Sequence, residues 1–105
     1  MSNPTVFNWT DPTLNTDGGP VVAGEITGYQ VGVRSGGSAG TYPNTGTIAS
    51  PTAVSMPFTA ISPALVSGSY NAAIRSVGPT NSAWSPEVAF AITGVPQPPS
   101  GFSVS

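Results

Sequence analysis

The sequence predicts an all-β protein, and three observations carry that reading. Tyr29, Val31 and Val33 alternate with Gln30, Gly32 and Arg34, the period of two expected of a strand with one buried face. Apolar clusters at Phe7 and Trp9, Met56 and Phe58, Tyr70 and Ile74, and Val88, Phe90 and Ile92 recur at strand spacing and supply the partner layer that face needs. The 13 Gly and 12 Pro fall largely between these clusters, as turn punctuation does.

Each element can be placed in turn. Thr5–Trp9 reads as a first strand with Phe7 and Trp9 on its inner face, ended by Asp11-Pro12. Residues 15–20 (Asn-Thr-Asp-Gly-Gly-Pro) form a loop, and the central strand runs from about Ile26 to Ser35. After the turn at Gly36–Gly40, Thr41–Ile48 reads as an edge strand, because Pro43 cannot donate to a ladder. Val54–Thr59 is a second short edge strand carrying Pro57. Tyr70–Val77 is a strong strand with Tyr70, Ala72, Ile74 and Ser76 inward and Asn71, Ala73, Arg75 and Val77 outward. A hairpin loop at 78–82 leads to a return strand from Trp84 to Thr93. Pro96-Gln-Pro-Pro99 is stiff polyproline II, and Gly101–Val104 is a last short alternating piece. No segment has helical periodicity. The expected core is Phe7, Trp9, Tyr29, Val31, Val33, Tyr70, Ile74, Phe90 and Ile92.

At 105 residues the chain suits one domain. It has no cysteine, histidine or lysine, so disulfides and the commonest zinc ligands are absent. Charged residues are 6% of the chain where about 25% is usual. Two arginines cannot neutralise a row of phosphates, so neither nucleic acid nor an anionic membrane surface is an expected partner. No apolar run approaches the length of about 18 residues that a spanning helix needs, and the N-terminus lacks a signal-peptide pattern. Low charge also leaves little protection against self-association, which suits life inside an assembly.

Taken together, Trp9, Asp17-Gly18-Gly19, Ile26-Thr-Gly-Tyr29-Gln-Val31, Leu65 with Ser67-Gly68-Ser-Tyr70, Arg75-Ser-Val77, Ser82-Ala-Trp-Ser85 and Phe90-Ala-Ile-Thr93 resemble a fibronectin type III module. The resemblance covers about residues 5–93. It implies a two-sheet antiparallel immunoglobulin-like sandwich, with the central strand as strand C and Tyr70 opening strand F. Tyr70 would be the corner tyrosine whose hydroxyl bonds back to upstream backbone. The corner Leu65-Val-Ser-Gly-Ser-Tyr70 is one residue shorter than the family's usual form. The Thr/Ser/Gly/Pro-rich surface resembles bacterial or bacteriophage copies. Strand A is missing at the N-terminus, and a strand-A-like segment, 98–104, follows strand G instead. The expected organisation is a sandwich over 1–94 and a Pro-rich C-terminal extension over 95–105. The expectation for the extension is that it leaves its own sandwich and packs on a neighbour through Pro98, Pro99, Phe102 and Val104, as the next module's first strand or by strand addition to another subunit, weighed evenly against a loose tail.

Candidate sites are few. Asn15-Thr-Asp17-Gly18, with Asp11 nearby and Glu25 as the one further carboxylate, matches part of a calcium loop but lacks the full oxygen set, and is read as an ordinary turn. Asn8-Trp9-Thr10 is a glycosylation sequon by pattern, read as accidental. Ser82-Ala-Trp84-Ser85 resembles half of the cytokine-receptor Trp-Ser-x-Trp-Ser signature. It suggests a stack of Trp84 with outward-facing Arg75 and Arg34, weighed against Trp84 as hydrophobic filler at the sandwich end. The four carboxylates fall in different loops and strand ends, so no catalytic pair, metal or cofactor is expected.

The expected role is therefore a non-catalytic structural or adhesive module of a multi-subunit assembly, such as a phage virion (capsid-decoration or tail) or similar surface protein. Its partners would be other protein subunits, and its location the virion or the cell surface. The alternative is a spacer or carbohydrate-associated module of a secreted bacterial enzyme or adhesin, with Tyr42, Trp84 and Phe102 as the aromatics available for glycans.

Overall fold

The computed structural model describes residues 3–94 and 96–105. Among the described residues six strands form two antiparallel sheets. They are β1 (Val6–Asn8), β2 (Gly28–Arg34), β3 (Asn44–Ile48), β4 (Ser55–Pro57), β5 (Gly68–Val77) and β6 (Val88–Ile92). The smaller sheet pairs β1 with β4, and the larger has the order β3-β2-β5-β6. Among the described residues there is no α-helix; one 3-10 turn, Phe58–Ala60, follows β4.

Alternation places the core as expected. On β2, Tyr29, Val31 and Val33 are buried, and β5 adds Tyr70 and Ala72 in the register Tyr29↔Ser76, Val31↔Ile74, Val33↔Ala72. Met56 from β4 and Ile61 after the 3-10 turn complete the buried cluster. Ile61 approaches because Gly46, opposite Val31, has no side chain: a Cβ there would meet Ala60 O at 2.7 Å. Phe7, Trp9, Ile74, Phe90 and Ile92 pack against this cluster but are only partly buried. Aromatic rings bridge the two sheets. Phe7 and Phe58 of the smaller layer meet Phe90 of the larger edge-on, at 6.0 and 5.3 Å.

Element boundaries differ from the sequence reading where proline or hydroxyl chemistry interrupts pairing. β3 begins only after Pro43, and β4 is reduced to three residues ending at Pro57. The return strand starts at Val88 rather than Trp84. From the pair Ala72↔Val88, the next bonds are Ser85 N to Ile74 O and Ser82 N to Ser76 O. Each step covers two residues on β5 (72 to 74 to 76) and three on the return segment (88 to 85 to 82). Such surplus residues bulge the return segment. The Ser85 and Ser82 hydroxyls accept from the N–H groups of Ile74 and Ser76 at 3.0 and 2.8 Å, taking the place of backbone carbonyls.

Two tyrosines hold the ends. The Tyr70 hydroxyl donates to Val66 O at 2.6 Å and accepts from Val66 N at 3.2 Å, so the corner before β5 closes on itself. Replacing Tyr70 with Phe removes both bonds and is expected to lower stability by about 1 kcal/mol, the usual net value of such bonds. Urea unfolding measures this, and an unchanged midpoint would show that the corner is held by packing alone.

Tyr29 lies fully within the core and donates to Pro51 O at 3.2 Å. Its pKa is pushed up to about 12, first by burial and then by the Asp11 carboxylate, whose Oδ1 also accepts from Trp9 Nε1 at 3.0 Å. Because the folded-state value lies above the unfolded one, this contribution to stability is complete below about pH 10 and is lost as pH rises toward 12. Tyr29→Phe is therefore expected to flatten the alkaline fall in stability between those limits, as measured by urea unfolding against pH.

Candidate functional site

Two surfaces gather the candidate residues: the outer face of the large sheet and the open side of the sandwich.

The outer face carries a continuous row of polar and aromatic groups. Its floor is the small pair Gly32↔Ala73, both buried although they point away from the core. A Cβ on Gly32 would lie 2.5 Å from Cγ of Tyr42, so glycine is what lets the Tyr42 ring lie down across β2. Trp84 meets that ring edge-on from the opposite side of the sheet at 4.6 Å. The Arg75 guanidinium sits 4.6 Å from the Trp84 ring centroid, and its Nε donates to Gln30 Oε1 at 2.8 Å. The stack of Trp84 with Arg75 is thus present.

Arg34 does not join the stack. Its Nε and Nη2 both donate to Glu87, the first at 2.8 Å, while Nη1 donates to Gly37 O. A bidentate carboxylate satisfies a planar guanidinium better than a second place on the indole would. The Tyr42 hydroxyl donates to the same carboxylate at 2.8 Å. The Arg34 bonds hold the Glu87 carboxyl below its usual range, with the Tyr42 bond the next cause. Burial raises the Tyr42 pKa first, with the Glu87 bond second. Tyr42, read from the sequence as an exposed aromatic, is half-buried and committed to this row.

Glu87 was not singled out in the sequence. Its meeting with Arg34 depends on the bulged segment at 82–87, and alternation alone gives the wrong count there. With a depressed folded-state pKa, the pairing contributes stability above the ordinary glutamate range and loses it as pH falls through the lowered value. Glu87→Gln is expected to melt lower than the parent at neutral pH and to converge with it in acid. Thermal melts across pH 2–7 check this.

The loop carboxylates do not converge. Asp17 accepts from Gly19 N at 2.8 Å in a local turn, and Asp11 serves Trp9. Glu25 closes its own loop by accepting from Val22 N at 2.8 Å and Asn15 Nδ2 at 3.0 Å. Among the described residues no three of His, Cys, Asp and Glu gather as a metal site. No described helix is long and apolar enough to cross a membrane. Asn8 is exposed on β1.

The open side lies between β1 and β6. A cleft of about 240 Å³ opens there, lined by Val6 and Phe7 from β1, Val88 and Phe90 from β6, and Phe58 and Ile74, with Phe7 and Phe90 touching edge-on at 6.0 Å. Val88 pairs with core-facing Ala72 and shares the inner face of β6 with Phe90 and Ile92, yet it is 67% exposed. The small sheet contains only β1 and β4, so one edge of β1 has no partner among the described residues. Asn3 ties the start of this edge to the end of β6. Its Oδ1 accepts from Thr93 N and Gly94 N at 3.0 Å, and its Nδ2 donates to Gly94 O.

The C-terminal extension does not fill the cleft. Its expected first residue, Val95, lies outside the described residues. Residues 96–105 are exposed and unpaired, Phe102 at 88% and Val104 at 89%, so the expected alternating piece at Gly101–Val104 is not a strand here. Pro98, Pro99, Phe102 and Val104 are therefore separate from Trp84, Arg75 and Arg34.

No protein-family model, curated protein or solved structure matches the chain.

Proposed function

We propose that this chain is a non-catalytic structural or adhesive module of a multi-subunit assembly, a phage virion component (capsid-decoration or tail) in preference to other surface proteins. The observation that carries the reading is the exposure of Val88, a core-facing residue on a sandwich with one side uncovered. An apolar cleft beside an unpaired strand edge is a template for addition of another strand. The charge-poor surface supports the same reading, since it offers little repulsion between subunits.

On this proposal the fold is a fibronectin type III-like sandwich without its first strand, β1 to β6 standing for strands B, C, C′, E, F and G. The sheet order and the Tyr70 corner support that assignment. A non-catalytic role is supported by the commitments of the ionisable groups: Arg34 and Glu87 to each other, Arg75 to Gln30 and Trp84, Glu25 and Asp17 to their own loops. The carbohydrate-associated alternative is weaker. Trp84 has Arg75 over its ring and Tyr42 at its edge, which leaves little indole surface for a sugar.

An antiserum raised against the purified chain tests the assembly reading. In fractionated extracts of the source, the chain is expected to sediment with large particles at moderate salt and to be released by denaturant. Recovery only in the soluble, low-mass fraction would overturn it.

A further inference from the structure

The uncovered side of the sandwich and the unpaired C-terminal tail are complementary. The cleft needs a short strand that pairs with the free edge of β1 and presents large apolar side chains to Val88 and Phe90. The tail offers such a strand: Phe102 and Val104 alternate with Gly101 and Ser103, and both are left exposed among the described residues. Pro98 and Pro99 have no N–H to give, so pairing would begin at Ser100 after a stiff lead-in. Gly101 has a φ of 74° in the free tail, and glycine can pass from there to an extended strand without steric cost.

The tail has no slack with which to enter the slot of its own sandwich in the antiparallel direction. It leaves from Gly94, which Asn3 fixes at the starting end of β1. An antiparallel strand must enter at the opposite end, beside Trp9, about 20 Å away at 3.3 Å per residue. The linker from Gly94 to Ser100 covers about 20 Å only when fully extended, which leaves no length for the two reversals of direction that the path needs. Folding straight back against β6 would instead set Pro96, Pro98 and Pro99 along a ladder to which they cannot donate. Consistently, the radius of gyration is 17.1 Å, against about 13 Å for a compact domain of this length, because the tail projects.

We propose that residues 98–104 of one copy insert antiparallel to β1 of a second copy, with Phe102 and Val104 filling the cleft beside Val88 and Phe90. This rests on the assembly reading above and names its partner as the chain itself. Donor and acceptor are different surfaces, so the contact is head-to-tail and propagates into a ring or an open filament according to the rotation between copies.

Light scattering of the purified full-length chain tests the proposal. The mass is expected to exceed the 10.5 kDa of one chain and to rise with concentration. Phe102→Glu, which spoils the donor, and Val88→Lys, which spoils the acceptor, each change a side chain exposed in the single copy, so both should fold with unchanged circular dichroism and each alone should be monomeric. Mixed together they retain one working donor and one working acceptor, and should give a dimer and nothing larger. Failure of the mixture to dimerise would overturn the proposal, as would a monomeric full-length chain at high concentration. If that monomer loses stability on removal of 96–105, the tail folds into its own sandwich. If removal changes nothing, the tail has no such role, while sedimentation with particles would still stand for the assembly reading with another protein in the cleft.

Discussion

The pairing of β2 with β5 is the constraint on which the rest of the structure depends. Seven residue pairs, from Gly28↔Val77 to Arg34↔Asn71, fix both faces of the large sheet at once. A slip of one residue would exchange them. On the inner face this register sets Val31 beside Ile74 and Val33 beside Ala72, and the small sheet then closes over them through Phe7 and Met56. On the outer face it sets Gly32 beside Ala73 and Gln30 beside Arg75. The core and the polar row outside it are two consequences of one alignment.

That alignment explains why residues on the outer face are small where they are. A larger side chain at Gly32 would lift the Tyr42 ring off β2, and with it the hydroxyl that reaches Glu87. Tyr42 and Trp84 come from opposite sides of the sheet and meet over its centre because the floor beneath them is low. Each then carries a charged neighbour, Glu87 on the first and Arg75 on the second. In a chain with only two cations, both are spent in this row, which fastens the bulged segment at 82–87 to β2 and β5.

The core was legible in the sequence because period-two alternation survives in β2, β5 and β6, and every residue expected there is buried or packs against the buried cluster. Ile61 was not legible: it follows a 3-10 turn and has no alternating neighbours, and its approach to the core depends on the missing side chain at Gly46. The stack of Arg75 on Trp84 was legible from the hairpin, but the partner of Arg34 was not. Reaching Glu87 requires counting through two steps in which serine hydroxyls replace carbonyls, and no pattern of hydrophobicity marks such steps. The cleft was also hidden. Alternation says that Val88 points inward, but whether anything lies inward of it depends on the opposite sheet.

Strand edges in soluble proteins are commonly blunted by lysine, by inward-pointing charges or by proline. The edge of β1 has none of these within Val6–Asn8, and the chain contains no lysine to place there. Pro57 blunts β4 and the prolines at 96, 98 and 99 keep the tail from pairing with β6, so edge protection is present in this molecule but is withheld from β1. Exposure of that edge together with an apolar cleft costs stability to the isolated chain, about 25 cal/mol for each square ångström of apolar surface left in water. Covering the cleft with a strand recovers this term and supplies hydrogen-bond partners to the β1 backbone in the same step. An edge left open beside a tail of matching pattern is thus accounted for when its occupant comes from outside the sandwich.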